Sequence, residues 1–72
     1  MTMTKTQKKL YDRMGGGRFL MGAVSIAYGK HYNLYNSDGR WDSGPYPRST
    51  VDVMLRDGCL ILDDDGERIG RG

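Results

Sequence analysis

The order of apolar runs and chain breakers in this sequence predicts a small α+β single domain made of two helices and two β-hairpins. Three observations carry that expectation. A capped amphipathic stretch opens the chain, a tyrosine-rich segment folds about an Asp-Gly pair, and a second helical pattern ends at a glycine just before two short apolar runs separated by acids.

Each element has its own signal. Thr4 and Gln7 have the spacing of a capping box, so a first helix should start at Lys5. Leu10, Tyr11 and Met14 form its apolar stripe, Lys5, Lys8, Lys9 and Arg13 cover its solvent side, and Gly15 to Gly17 end it. From Arg18 to Tyr28 alternation puts Leu20, Val24, Ile26 and Tyr28 on one side of a strand that Gly22 can bend. Lys30 to Trp41 reads as a hairpin, HYNLYN and RW joined at Ser37, Asp38 and Gly39, where Asp-Gly suits a primed turn. Ser43 to Pro47, SGPYP, reads as a connector.

The second helix should take Ser49 or Thr50 as its cap, with Asp52 near the positive end of the dipole and Val51, Met54 and Leu55 facing inward. Gly58 supplies a left-handed stop, and Cys59 should pack back on the last turn. Cys59 to Leu62, a turn at Asp63 to Gly66, and Glu67 to Ile69 make the closing hairpin.

Seventy-two residues form one domain, because a chain this short buries only about 60% of its unfolded surface. It leaves no room for an enclosed active site. The domain should span 1–72, with residues 1–4 disordered. A hydrophobic share of 38% and a charged share of 28% suit a folded, soluble chain. No apolar run approaches the roughly 20 residues of a membrane span, and no signal segment opens the chain, so no membrane partner is expected. The single cysteine excludes an internal disulfide and fits a reducing cytoplasm. The formal charge of +2 divides unevenly: residues 1–48 carry eight Lys and Arg against three Asp, and residues 49–72 carry three against six acids. Such asymmetry points to charged partners.

RSTVDVMLRDGCLILDDDG resembles the ending of many very small proteins encoded by temperate phages and other mobile elements, where it forms the last helix and wing of a winged-helix fold. The resemblance covers about the last third of the chain and implies a winged-helix-like C-terminal half. It also implies two classes of function, small transcription regulators and inhibitors of host defence such as anti-CRISPR proteins, with the cytoplasm of the infected bacterium as the setting. In the middle, Tyr-rich strands replace the helix that precedes the reading helix of a DNA-binding winged helix.

Catalytic, cofactor and metal chemistry find little support. The Gly triplet lacks the GxxxxGK[ST] spacing of a phosphate loop, and counting back from Gly66 puts Ile61 where a calcium loop needs its first oxygen ligand. With His31 alone, no multi-His metal site exists within the chain. Cys59 and His31 are the only conceivable nucleophile and base. A cysteine just past a helix C-terminus faces the negative dipole end, which disfavours the thiolate, so both read as packing residues. The expectation is a non-enzymatic protein with no cofactor.

Three binding surfaces then compete. Asp63, Asp64, Asp65 and Glu67 form either a solvated turn or an acidic knob that mimics phosphate for a basic groove on a host protein or ribonucleoprotein complex. Arg40, Trp41, Tyr46 and Arg48 are residue types that dominate protein interfaces, or else a tryptophan folded over the core with a rigid loop outside. For duplex DNA the candidates are Lys5, Lys8, Lys9 and Arg13 on the first helix, with Thr50 and Arg56 on the second and Arg18 and Lys30 in support. Asp52 and Asp57 oppose that reading. Tyr28, Tyr32, Tyr35 and Trp41 are available for stacking, although tyrosines on strands of a tiny domain also serve as its core and rim. A homodimer through an uncovered strand edge is the remaining partner expectation.

Overall fold

In the computed structural model, which describes residues 3–71, Thr4 opens the first helix as its spacing predicts. The Thr4 hydroxyl accepts from the Gln7 N–H at 3.2 Å while the Gln7 side chain accepts from the Thr4 N–H at 3.0 Å, which satisfies two otherwise orphaned donors. The helix, α1, runs Lys5–Arg13 and buries Leu10, with Met14 at its C-cap. Of the four residues expected to be disordered, the first two lie outside the described residues, Met3 packs against the core and Thr4 is the cap.

Five strands follow: β1 (Phe19–Ser25), β2 (Gly29–Tyr35), β3 (Trp41–Pro47), then α2 (Arg48–Arg56), β4 (Leu60–Leu62) and β5 (Arg68–Arg71). They form one antiparallel sheet in the order β3-β2-β1-β5-β4. The expected hairpins are β2–β3 and β4–β5. The second follows its helix in the anticipated order, and β5 pairs with β1 through Leu20↔Ile69 and Met21↔Arg68, which builds the hairpin into the sheet.

Four local expectations are corrected. The strand expected to reach Tyr28 stops at Ser25, whose hydroxyl accepts the Tyr28 N–H at 3.0 Å, and Gly29 at φ 64° turns the chain into β2. An unforeseen β1–β2 hairpin results. Of the four residues placed on its inner face only Leu20 is buried; Val24, Ile26 and Tyr28 are exposed.

The SGPYP connector is part of β3. Prolines lack the N–H of a central strand but are tolerated on an edge, and β3 pairs only with β2. Its register slips on either side of Leu34, between Tyr32 and Tyr35, which absorbs the irregular backbone.

The Ser37-Asp38-Gly39 turn is not a primed two-residue turn. Among the described residues none other than glycine has positive φ, and the Gly39 N–H closes on the Asn36 carbonyl at 2.8 Å. A left-handed Gly39 then returns the chain, as in three-residue hairpin loops.

Finally, α2 begins at Arg48, with Pro47 at the N-cap and no side-chain cap bond, so Ser49 and Thr50 are already inside the first turn. The strand runs straight into the helix because Pro47, at φ −60° and ψ 135°, ends one while its fixed φ suits entry to the other.

The exit of α2 matches expectation closely. The Cys59 N–H donates to the Met54 carbonyl at 2.9 Å and the Gly58 N–H to Leu55 at 3.2 Å, with Gly58 at φ 81°. This pair of bonds satisfies the last carbonyls and requires a left-handed residue. Cys59 is half-buried against the core.

Leu10, Met14, Leu20, Leu34, Val51, Met54, Leu60 and Ile69 form the buried core. Leu20, Leu34 and Ile69 are directly opposed across β1, β2 and β5 and so share one sheet face. Both helices cover that face. The alternate positions, Phe19, Met21, Tyr35, Trp41, Ile61 and Arg68, belong to the other face, which no helix covers.

Leu20→Ala, at the centre of the core, should lower unfolding free energy by about 2–5 kcal/mol in urea titration. Gly58→Ala meets no neighbouring atom, so its cost is conformational alone and should be about 1 kcal/mol.

Candidate functional site

The acidic turn is a built structure. The Asp63 N–H donates to the Arg68 carbonyl at 2.8 Å, and the Gly66 N–H donates to the Asp63 carbonyl at 3.0 Å. The Asp63 carboxylate also accepts the Glu67 N–H at 3.1 Å and the Arg68 N–H at 3.2 Å. The Arg68 N–H bond chiefly, with help from the Glu67 and Gly66 amides and the Arg68 charge, holds the Asp63 carboxyl below its usual range against partial desolvation.

Asp63 is therefore committed to shaping the turn. Asp64, Asp65 and Glu67 are exposed at its tip, and no ion pair among the described residues involves them. What remains is a small negative prow of three carboxylates on a hydrogen-bonded frame.

The other expected contact residues do not gather around it. Arg40 and Trp41 lead into β3, at the opposite edge of the sheet from β4. Arg40 is exposed and pairs with Asp38 at 3.7 Å, and Trp41 is 58% exposed. Tyr46 is half-buried against the core, its hydroxyl 2.7 Å from that of Ser43. Arg48 bonds Asp52 at 3.1 Å and lines an open cleft of about 490 Å³ with Lys30, His31 and Tyr32. Tyr46 and Arg48 share the lining of a second cleft with Tyr28 and His31, away from Arg40 and Trp41, and none of the four forms a patch with the acids.

The charge pattern of the two helices differs from a DNA reader's in a specific way. Both carboxylates of the α2 region are engaged by arginines beside them, Asp52 by Arg48 at 3.1 Å and Asp57 by Arg56 at 3.6 Å. Thr50 is half-buried. On α1, Arg13 is drawn off to Asp42 at 3.0 Å, whereas Lys5, Lys8 and Lys9 are exposed and take part in no ion pair among the described residues.

Asp42 ties α1 to the edge strand. Its side chain is only 16% exposed and accepts from Arg13 Nε at 3.0 Å and from the Ser43 hydroxyl at 3.2 Å, with Arg18 at 3.8 Å. Because Ser43 gives its proton to Asp42, the Tyr46 hydroxyl donates to Ser43, completing a chain from α1 to β3. Desolvation pushes the Asp42 carboxyl up, but the bonds from Arg13 and Ser43 and the nearby guanidinium charges outweigh it and hold the group below the usual carboxylate value. Tyr32 shifts the other way: burial first, then the Asp52 charge, raises its hydroxyl, which donates to Asp52 at 3.5 Å.

Cys59 and His31 do not meet. His31 is on β2 and Cys59 immediately precedes β4, with β1 and β5 between them, a separation of roughly 14 Å at ordinary strand spacing. His31 is buried, its Nδ1 donates to the Gly29 carbonyl at 3.0 Å, and its ring meets Tyr28 edge-on.

The sequence reading passed over Phe19 and Arg68. Phe19 stacks on Tyr35 with centroids 5.8 Å apart, and the Arg68 guanidinium lies 4.6 Å over the Phe19 ring. The available signal was the opposite phase of the same alternation, Phe19 and Met21 against Leu20.

No protein-family model, curated protein or solved structure matches this chain. Among the described residues no helix is long and apolar enough to cross a membrane, and no group of three or more His, Cys, Asp or Glu is placed to hold a metal ion.

Asp42 and Asp63 are both held below the ordinary aspartate value of 3.8. Each therefore contributes stability that is complete above that value and is lost as pH falls through the lower folded value. Thermal midpoints should be flat from neutral pH down to about 4 and then drop. Asp42→Asn should lower the neutral midpoint and shallow the acid drop, a difference that calorimetry across the acid range reads directly.

Proposed function

We propose that this protein is a non-enzymatic binder that inhibits a host defence complex, in the manner of anti-CRISPR proteins. Its acidic β4–β5 turn occupies a basic nucleic-acid site on a host protein or ribonucleoprotein complex in the cytoplasm of the infected bacterium. The observation that carries this reading is the rigid, unneutralised tip. Asp63 spends its carboxylate on the backbone, which fixes the presentation of Asp64, Asp65 and Glu67. Three carboxylates held this close repel one another at low salt, and a cationic groove relieves that repulsion on contact. The phage setting rests on the resemblance of the α2-to-hairpin segment alone.

A second reading, a small DNA-binding regulator, draws on the unpaired Lys5, Lys8 and Lys9 and on the neutralisation of Asp52 and Asp57 by neighbouring arginines. It makes a different prediction with duplex DNA. An acidic decoy gives no anisotropy change with random duplex at low salt, whereas a regulator binds with an affinity that falls steeply as salt rises.

The decisive variant spares Asp63. Asp64→Asn, Asp65→Asn and Glu67→Gln together should leave the thermal midpoint nearly unchanged, because all three side chains are exposed. The same variant should abolish protection of phage plaquing in cells with an active defence complex. Protection that survives the triple change eliminates the acidic contact.

A further inference from the structure

The uncovered face of the sheet carries an aromatic row. Phe19, Tyr35 and Trp41 are direct cross-strand partners on β1, β2 and β3, so their side chains share a face and neighbour one another at about 5 Å between backbones. Phe19 and Tyr35 are stacked with ring planes 21° apart, Arg68 from β5 lies over the free side of Phe19, and Trp41 ends the row 58% exposed. A core would bury such rings. Here both helices sit on the opposite face.

Charge selects the occupant. The outward positions of β1, β2 and β5 include no carboxylate. Arg68 stands on the face itself, while Arg40 immediately precedes Trp41 in the chain. Arg40 is held only loosely, by Asp38 at 3.7 Å with its side chain 86% exposed, whereas Arg18 donates to Asn36 Oδ1 at 3.1 Å and to the Arg13 and Gly15 carbonyls at 3.1 and 3.0 Å and so is committed to the end of α1. Rings interleaved with guanidinium groups suit a chain that alternates flat bases with phosphates.

We propose that this face binds single-stranded nucleic acid, with unpaired bases stacking on Tyr35 and Trp41 and phosphates meeting Arg40 and Arg68. A duplex hides its base faces and cannot use the row. The site is separate from the acidic turn and does not depend on it.

Trp41 is the only tryptophan, so its fluorescence reports the contact without a label. An oligo-dT of about eight nucleotides should quench it at low salt. Raising salt from about 50 to about 200 mM should weaken binding roughly sevenfold if two phosphates are neutralised. Trp41→Ala, read by anisotropy of a labelled strand, should weaken binding roughly tenfold while keeping the thermal midpoint, and Arg40→Gln should reduce the salt dependence. The same sequence as a duplex should bind far more weakly. The triple acidic variant should bind the strand as well as the parent does, which separates this proposal from the inhibitor reading. Absence of quenching and anisotropy change at low salt overturns the proposal. So does a salt-independent signal, or a concentration-dependent dimer that Trp41→Ala dissolves, which would assign the face to a second copy.

Discussion

Two residue pairs hold the architecture together. Leu20↔Ile69 and Met21↔Arg68 are the rungs that join the N-terminal three-stranded meander to the C-terminal hairpin. They close a loop of nearly fifty residues, an entropic cost that rises only slowly with length but must be met before any long-range contact rewards it. The reward is local and apolar, since Leu20 and Ile69 are both essentially inaccessible and lie under the two helices. On the reverse side the same junction places Arg68 against Phe19. Core, aromatic row and the position of the acidic turn all follow from this single seam.

Elements whose signals are local could be read from sequence. The Thr4–Gln7 box, the Gly58 exit and the two anticipated hairpins each rest on side-chain or backbone chemistry within a few residues, and each is present. What escaped reading depends on neighbours far along the chain. SGPYP looks hostile to a strand until it is known to lie at an edge, where two missing donors cost nothing. Ile26 and Tyr28 continue an apolar alternation yet belong to a connection, because Ser25 and Gly29 close the turn there. The inward phase of β1 was correct at Leu20 and failed beyond it, where no helix extends to cover Val24.

The candidate residues divide along the same lines. The acidic cluster was visible as composition, but the distinct task of Asp63 was not, since it arises from the backbone amides of Glu67 and Arg68 folding back on its carboxylate. Similarly, counting Asp52 and Asp57 as obstacles to an anionic ligand ignored the arginines that pair with them along and just beyond the helix. The Phe19–Tyr35–Trp41 row could not be inferred at all without strand register, because those residues are scattered over more than twenty positions.

The two rims of the sheet are unlike. Along β3, Pro45 and Pro47 interrupt the donors that a foreign strand would need. The β4 rim has no such interruption across Leu60–Leu62, and its Ile61 and Leu62 are exposed. What lies immediately beyond is the run of like charges at 63–65. Copies approaching rim to rim would bring those like charges together, a repulsion that opposes edge-to-edge pairing along this border. Acid or high salt, by neutralising or screening that border, removes this repulsion.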